Sequence, residues 1–253
     1  MNILNTDRLT VNQLKEAENL IELCCHEDGT KVICFFQSDM NVIYDLPAFF
    51  LMYHKNILVS FLSIFVPDYK ECEIYAYTLP EYRRQGCFCR LYKKADRLIR
   101  NYGIRKIYFV NEPYGITGDK VLKRIGAKLE SSEYLMAYNM DIEPRPQGIL
   151  ILLHSKTENG ELLETYKKDI KIGSINLELE QNTAIIYNVE IEEKYRGRGY
   201  GTETLLLVLE YLKNSKYEKI ILHVSSLNKI AYGMYSRHGF VNIQQVDYWF
   251  KKI

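Results

Sequence analysis

The sequence predicts a protein of mixed α and β structure in two domains, and three observations support this. The chain has 253 residues, more than a single domain usually contains. One segment recurs after an interval of 113 residues. In both copies of that segment, a β-rich run leads through a short basic loop into a stretch with helical spacing of apolar residues.

The repeat is clearest at the loop, where Tyr82–Gly86 aligns with Tyr195–Gly199. Eight of the 46 aligned positions that begin there are identical without a gap, whereas average composition gives roughly three by chance. Between the copies, residues 143–148 contain two prolines and a glycine, which interrupt regular structure. We therefore expect a first domain at residues 1–143 and a second, shorter one at residues 144–253.

The first copy is predicted to begin with a helix and to pass through three strands into the loop. Glycine suits the left-handed end of its last, short helix. The predicted elements are a helix at Val11–Cys25, strands at Phe49–His54, Ile57–Val66 and Cys72–Thr78, a helix that buries Leu91, Ala95, Leu98 and Ile99, a strand at Lys106–Val110, and a helix ending at Gly126.

The second copy lacks the first helix and enters its strands almost directly. After the loop it repeats the order of the first copy. The predicted elements are strands at Ile149–His154, Leu162–Leu179 and Ala184–Ile191, a helix that buries Leu205, Leu206, Val208, Leu209 and Leu212, a strand at Lys219–Val224, and a helix ending at Gly239.

Composition and charge argue against several classes of protein. The net charge is +1 and the basic residues are scattered, so we expect no nucleic-acid partner. No apolar run approaches the ~20 residues that cross a bilayer, and the first residues lack the layout of a signal peptide. We therefore expect a cytoplasmic protein without a membrane partner. The six cysteines lack metal-ligand spacing, and we expect no metal site.

The loop of the second copy predicts a site for a phosphate-bearing cofactor. Glycines at 197, 199 and 201 let the backbone coil and turn successive N–H groups toward one anion. Those N–H groups are also unpaired donors at the start of the next helix, where the dipole favours negative charge. A P-loop would end in Gly-Lys-Ser/Thr, and a dinucleotide loop would have glycine in place of Thr202. A plain glycine-rich turn is the remaining alternative.

Two motifs of the second copy resemble signatures of the GNAT superfamily of N-acetyltransferases. Arg196-x-x-Gly199-x-Gly201, after a strand, resembles the acyl-CoA-binding signature. The second motif is Asn228-x-x-Ala231-x-x-x-Tyr235-x-x-x-Gly239-Phe240. The first copy resembles the family more loosely, because it keeps Arg83-x-x-Gly86 but has Phe88 in place of the last glycine.

The resemblance implies the α+β (α/β) class, with two GNAT folds in tandem, similar to the arrangement in mycothiol synthases. Each would be a mixed, mostly antiparallel sheet with flanking helices, whose splayed fourth and fifth strands admit acetyl-CoA as co-substrate. The implied cofactor-binding residues of the second copy are Val189, Ile191, Arg196, Gly197, Arg198, Gly199, Tyr200, Gly201, Thr202 and Asn228. Those of the first copy are Arg83, Arg84, Gln85 and Gly86.

The resemblance also implies a reaction in which a neutral amine attacks a thioester directly and a thiolate leaves. Backbone N–H groups near Val189–Ile191 would stabilise the oxyanion. Tyr235 matches the general-acid tyrosine of the family, and simple packing on its helix face is the alternative. The matching residues of the first copy are Leu122 and, for Asn228, Gly115. We therefore expect catalysis in the second domain and a degenerate first domain.

Two residues are candidates for the general base. His223 ends the fifth strand of the second copy, and histidine exchanges protons near neutral pH. Glu190, on the fourth strand, would deprotonate the amine through a water molecule. A packed, hydrogen-bonded histidine and a solvent-facing glutamate are the structural alternatives. Glu133 and Tyr134 of the first copy are further candidates for the acceptor site.

We expect a small-molecule or peptide amine as acceptor, and a monomer or homodimer. Two alternatives to a catalytic second domain stay open. In one, the chain is a binding module that holds acyl-CoA without turnover. In the other, the first domain catalyses and the second only binds CoA, because GNAT enzymes sometimes work without the tyrosine.

Overall fold

The computed structural model describes residues 1–31, 33–113, 118–158, 160–215 and 217–253. They form two compact units. The first unit contains Met1–Ser131 and Val246–Ile253, and the second contains Ser132–Gln245. The chain therefore passes from one unit to the other twice, and neither crossing lies at the predicted boundary between residues 143 and 144. Gly115, which aligns with Asn228, lies outside the described residues.

The described residues form five α-helices and twelve β-strands. Up to residue 138 these are β1 (Asn2–Thr6), α1 (Val11–Asp28), β2 (Phe49–His54), β3 (Ile57–Asp68), β4 (Glu71–Thr78), α2 (Cys87–Asn101), β5 (Lys106–Asn111), α3 (Gly118–Arg124) and β6 (Lys128–Tyr138). The remaining elements are β7 (Ile151–Thr157), β8 (Gly160–Lys167), β9 (Ile170–Glu180), β10 (Thr183–Ile191), α4 (Tyr200–Lys213), β11 (Lys219–Ser225), α5 (Lys229–Arg237) and β12 (Phe240–Lys252).

The predicted helices and strands are present, with differences at their ends. The predicted strand region Leu162–Leu179 divides into β8 and β9, because the chain turns at Lys168, whose φ is +54°. The strands β1, β6 and β12 are additional to those predicted. Gly126 and Gly239 have φ of +82° and +93°, the left-handed conformation expected after a short helix.

The sheet of the first unit has the strand order β1-β2-β3-β4-β5-β12. Its neighbours pair antiparallel, except β4 and β5, which run parallel. Both α1 and α2 contact β3, and from Leu58 to Val66 every side chain of this strand except Phe65 is buried. Burial of both alternating sets of side chains explains why β3 is a nearly continuous apolar run in the sequence.

The sheet of the second unit has the order β6-β11-β10-β9-β8-β7, and only β10 and β11 run parallel. Helices α4 and α5 contact its central strands. Burial alternates along these strands, so that Ile186 and Leu222 are in the core while their neighbours point to the other side. We call this other side, which carries Tyr187, Glu190 and His223, the open face.

Each sheet is completed by a strand from the other half of the sequence. Strand β6, from the predicted first domain, pairs antiparallel with β11 in the second unit, with Tyr134 opposite Val224. The last part of β12 pairs antiparallel with β5 in the first unit, with Trp249 opposite Phe109. This exchange of strands is the physical reason why the compact units differ from the predicted domains 1–143 and 144–253.

In both units the two parallel strands stop pairing with each other before they reach the loop. The ladder between β4 and β5 ends at Ile74 and Phe109, and that between β10 and β11 ends at Ile186 and Leu222. Each strand continues to pair with its other neighbour. In β10 a bulge follows at Asn188, whose φ is +47°, and bulges re-aim the backbone groups of a strand.

Candidate active site

The loop before the central helix has the same backbone conformation in both units. Gly197 and Gly199 have φ of +73° and +84°, and the aligned Arg84 and Gly86 have φ of +61° and +77°. Glycine reaches this left-handed region without strain, whereas an arginine does so at a cost of about 1–2 kcal/mol. The loop therefore coils at two of its three glycines as the sequence predicts.

The third glycine has a different role from the predicted one, because Gly201 lies inside α4. A methyl group there would meet Sδ of Met234 at 3.5 Å and Cγ1 of Ile191 at 3.7 Å, which are ordinary contact distances. The protein itself therefore has room for a side chain, and the glycine leaves the first turn of the helix uncovered. In the first unit Phe88 occupies the aligned position, with its ring 6.5 Å from that of Phe109.

The helix α4 begins with uncapped backbone donors. Its N-cap is Gly199, and no described side chain caps its first turn; the same holds for α2 and its N-cap Gly86. Uncapped N–H groups and the helix dipole together bind anions. Tyr200, Gly201 and Thr202 provide these N–H groups in α4.

Two polar contacts hold the first turn of α4 in place. The carboxylate of Glu203 does not cap the helix, because Oε1 accepts a hydrogen bond from the N–H of Leu150 at 2.5 Å. The hydroxyl groups of Thr204 and Thr165 are 2.9 Å apart, and both side chains are fully buried. The helix start is thereby fixed against β8 and the residue before β7. Sequence analysis missed these contacts, since their partners are 53 and 39 residues apart.

The loop arginine donates the same backbone hydrogen bond in both units, but its other contacts differ between them. Nε of Arg83 donates to the carbonyl of Thr78 at 3.0 Å, and Nε of Arg196 donates to that of Ile191 at 2.8 Å. In the first unit, Asp28 also accepts from both terminal nitrogens of Arg83, at 2.7 and 2.9 Å. Among the described residues, no carboxylate lies within 4.0 Å of the exposed Arg196. The charge of Arg196 is therefore available to an anion.

A lysine from a distant strand also reaches the loop. Nζ of Lys167, the last residue of β8, donates to Oη of Tyr200 at 3.0 Å and lies 5.6 Å from the centre of its ring. The ring of Tyr200 in turn lies 6.3 Å from that of Tyr195, nearly perpendicular to it. Lys167 therefore belongs to the surroundings of the loop, although sequence analysis missed it.

The signal that identifies Lys167 is an extension of the repeat. At the same interval of 113 residues, Tyr53–Ile57 aligns with Tyr166–Ile170, and three of these five residues are identical. Both segments are tight turns between strands, with φ of +47° at Lys55 and +54° at Lys168. The aligned residue of Lys167 is His54, whose ring lies 5.8 Å from that of Tyr82 in the loop of the first unit.

Tyr235 lies in the core of the second unit. Its side chain is 5% exposed, and its ring lies 5.7 Å from that of Phe240. Burial raises the pKa of its phenol to about 12, so the hydroxyl group carries its proton at neutral pH. The aligned Leu122 is buried in the core of the first unit and has no proton to donate.

The other predicted cofactor-binding residues of the second unit surround the loop. Val189 packs against the core beside the bulge, and Ile191 reaches Gly201 at the start of α4. Arg198 is exposed in the loop itself. Oδ1 of Asn228 caps α5 by accepting from the N–H of Ala231 at 3.1 Å. The structure therefore brings these residues together except Asn228, which is placed at the start of a separate helix.

The two base candidates lie on the open face, on the opposite side of the sheet from Tyr235. Both His223 and Glu190 are exposed, which excludes a packed histidine and agrees with a solvent-facing glutamate. Glu133 and Tyr134, assigned to the first copy by sequence, lie in the second unit because β6 pairs with β11. The structure thus places them beside the strand that carries His223.

The first unit contains a cavity of about 720 Å³ between its separating strands and its loop. Arg83, Arg84, Gly86, Phe88 and Leu122 are among its lining residues. The side chain of Gln85 turns away and donates to the carbonyl of Glu81 at 2.7 Å. The predicted first-copy residues are therefore grouped around a cavity, with Gln85 at its margin.

None of the described helices has the length and apolar composition of a membrane span. No cluster of three or more His, Cys, Asp or Glu side chains in the described part of the chain is arranged to hold a metal ion.

A mixed sheet that opens beside an uncapped helix start is the arrangement that the resemblance to the GNAT superfamily implies. Residues 129–240 match the model of the acetyltransferase (GNAT) family. The uncharacterized N-acetyltransferase YobR of Bacillus subtilis (strain 168) is 32% identical over 65 residues, 26% of each chain. The chain therefore matches about a quarter of the length of this curated relative.

Solved structures extend the likeness to the whole chain. A GCN5-related N-acetyltransferase from Sphaerobacter thermophilus superposes with a TM-score of 0.77 at 12% identity, over 99% of this chain and 95% of that one. A tandem GNAT protein from the clavulanic acid biosynthesis pathway gives a TM-score of 0.67 at 12% identity, over 99% and 98%. At these identities the likeness shows the fold.

Residues 129–240 thus resemble the acetyltransferase (GNAT) family, and the whole chain has the fold of tandem GNAT proteins. The resemblance inferred from the two motifs and the predicted α+β class are confirmed. The match to the family model supports the prediction of an N-acetyltransferase, which stays a prediction for the whole chain.

Proposed function

We propose that the second unit transfers an acetyl group from acetyl-CoA to an amine by direct attack in a ternary complex. The observation that carries this proposal is the uncapped start of α4, held beside the point where β10 and β11 stop pairing. Unlike Arg83, Arg196 has no carboxylate partner among the described residues. We propose that the first unit is a degenerate copy of the same fold.

The residues of the second unit fit the cofactor. The N–H groups of Tyr200, Gly201 and Thr202 would bind its pyrophosphate, with Arg196 and Arg198 adding positive charge. Backbone groups from Val189 to Ile191 would bind the pantetheine arm on the side away from β9, because the pairing of β10 with β11 ends at Ile186. The cap on α5 uses only the oxygen of the Asn228 amide, so its NH₂ group can also donate to the cofactor.

The proton would be taken from the amine on one face of the sheet and given to the leaving sulfur on the other. An acyl group between β10 and β11 can be approached from either face of the sheet. The amine, a small molecule or a peptide, would enter from the open face, where His223 or Glu190 takes its proton. The protonated Tyr235 lies on the core face, where it would donate to the leaving sulfur.

Turnover of Tyr235→Phe tests this assignment. We expect thiol release with an accepted amine to fall by about 10²–10⁴-fold, the usual contribution of a general acid, while acetyl-CoA still binds. Leu122→Ala is the matched control, because it changes the aligned residue of the first unit. Normal turnover in Tyr235→Phe with loss in Leu122→Ala would overturn the proposal. Tight binding of acetyl-CoA with no thiol release from any amine would instead favour a binding module.

A second candidate is catalysis in the first unit, which the cavity of about 720 Å³ favours. Against it, Asp28 neutralises Arg83, and Leu122 stands in place of the tyrosine. The same pair of variants therefore decides between the two units.

A further inference from the structure

The turn between β8 and β9 provides a positive charge to the loop that the motifs of the second copy do not contain. Lys167 ends β8, and its ammonium group donates to the hydroxyl group of Tyr200 at 3.0 Å. Tyr200 is the first residue of α4, whose first N–H groups have no described side-chain cap. The contact therefore joins the turn to the predicted phosphate-binding end of the helix.

The chemistry of this contact leaves a donor for a ligand. An ammonium group has three donors and no acceptor, so Oη of Tyr200 is the acceptor in the 3.0 Å hydrogen bond. The phenolic proton of Tyr200 is then available to another acceptor. Among the described residues, no carboxylate lies within 4.0 Å of Nζ of Lys167. An acceptor that also carries negative charge would satisfy the phenol and the ammonium group together.

The first unit has the same turn without this pair. Its residues at the aligned positions are His54 and Cys87, and His54 lies against Tyr82. Arg83 of that unit is bound to Asp28. Lys167 therefore joins Arg196 and Arg198 beside the loop of the second unit, and none of the three has a carboxylate partner in the described part of the chain.

We propose that Lys167 and Tyr200 form a phosphate-binding pair in the cofactor site of the second unit. Tyr200 donates its hydroxyl proton to a phosphate oxygen of acyl-CoA, and Lys167 orients the phenol and adds its charge. Lys167 is thus a positioning residue that sets the preference for a phosphate-bearing thioester. This inference rests on the proposed function, since it takes acyl-CoA as the ligand.

Binding of acetyl-CoA to the full chain tests the pair by calorimetry. Lys167→Gln and Tyr200→Phe should each weaken binding by about tenfold, the effect of one hydrogen bond to a charged group. The double variant should lose less affinity than the two single effects combined, because Lys167 acts in part through Tyr200. Lys167→Arg should bind nearly as the unchanged protein does. Lys168→Gln, one residue along the turn, removes the same charge and should have little effect.

Acetyl-dephospho-CoA shows which phosphate is bound. If Lys167→Gln weakens both thioesters equally, the pair binds the pyrophosphate; if it weakens only acetyl-CoA, the pair binds the 3′-phosphate of the ribose. Equal affinity of Lys167→Gln and the unchanged protein for acetyl-CoA overturns the inference and leaves the proposed function standing. No binding of acetyl-CoA to the unchanged protein overturns both.

Discussion

Burial keeps Tyr235 protonated over a wider pH range than an exposed tyrosine. The pKa of its phenol is raised to about 12, above the value of 10.0 for an exposed tyrosine. Because the raised pKa favours the protonated form, burial of Tyr235 stabilises the fold fully below about pH 10, and this contribution is lost as the pH rises toward 12. Across the neutral range the phenol therefore stays protonated.

The pH dependence of turnover identifies the base. Activity should rise with pH as the base loses its proton, and should then stay level to about pH 10, because Tyr235 remains protonated there. We expect either His223→Ala or Glu190→Gln to remove the rising limb of kcat/KM. Both residues are exposed, so neither substitution should lower the melting temperature by more than a few degrees.

Each of these two variants serves as the control for the other, since both alter the open face. A rising limb that persists in both would exclude both residues as the base. Glu133, which β6 places beside β11, would then be the next candidate.

Some residues of the site can be predicted from the sequence and others cannot. The loop glycines and Tyr235 lie in two short motifs, so local spacing is enough to find them. Glu203, Thr204 and Lys167 act through partners far away in the chain, and no local pattern encodes such contacts. Lys167 alone had a signal, the extended repeat at Tyr166–Ile170.

At the start of α4, Gly199 and Gly201 are glycine for two different reasons. Gly199 has a φ of +84° and is needed by the backbone, so Gly199→Ala should cost about 1–2 kcal/mol of stability. Gly201 is helical and has room for a methyl group, so Gly201→Ala should keep or slightly raise the melting temperature. We expect Gly201→Ala to lose acetyl-CoA affinity by about tenfold or more, because the methyl group covers the anion-binding turn.

Thermal unfolding and calorimetric titration of these two variants check the distinction. Gly233→Ala, in the middle of α5, is a helical control away from the loop. If Gly201→Ala bound acetyl-CoA as the unchanged protein does, α4 would not be the phosphate-binding helix.

Elements with one apolar side follow from the sequence, as α4 shows, whereas the turn at Lys168 inside the predicted strand region Leu162–Leu179 does not. Pairing partners do not, because alternation along β6 and β12 states which side of a strand is buried and not which strand lies next to it. The sequence therefore predicts the central strands of each unit and misses the exchange at their edges.

In the whole molecule, the exchange of strands β6 and β12 between the units determines which fragments of the chain can fold alone. The second unit is the continuous segment Ser132–Gln245, so a fragment of residues 132–245 should fold and bind acetyl-CoA. A fragment of residues 144–253 lacks the part of β6 that pairs with β11 and leaves an unpaired edge there. We expect this second fragment to aggregate or to unfold at a lower temperature.

Circular dichroism and thermal unfolding of the two fragments, with the full chain as reference, measure this difference. Cooperative unfolding of 144–253 at the temperature of 132–245 would show that β6 is dispensable, and would restore the boundary predicted between residues 143 and 144.

The pairing of Phe109 with Trp249 also sets an order of events during synthesis. These partners are 140 residues apart, and the whole second unit lies between them in the chain. Contacts at such separation form late, because closing the intervening loop costs entropy before the contact stabilises anything. Domains usually fold as they leave the ribosome, the earlier one first. Here the first unit cannot complete its sheet until the second unit and β12 have been synthesised. Until then the edge of β5 is unpaired and can pair with a strand of another protein.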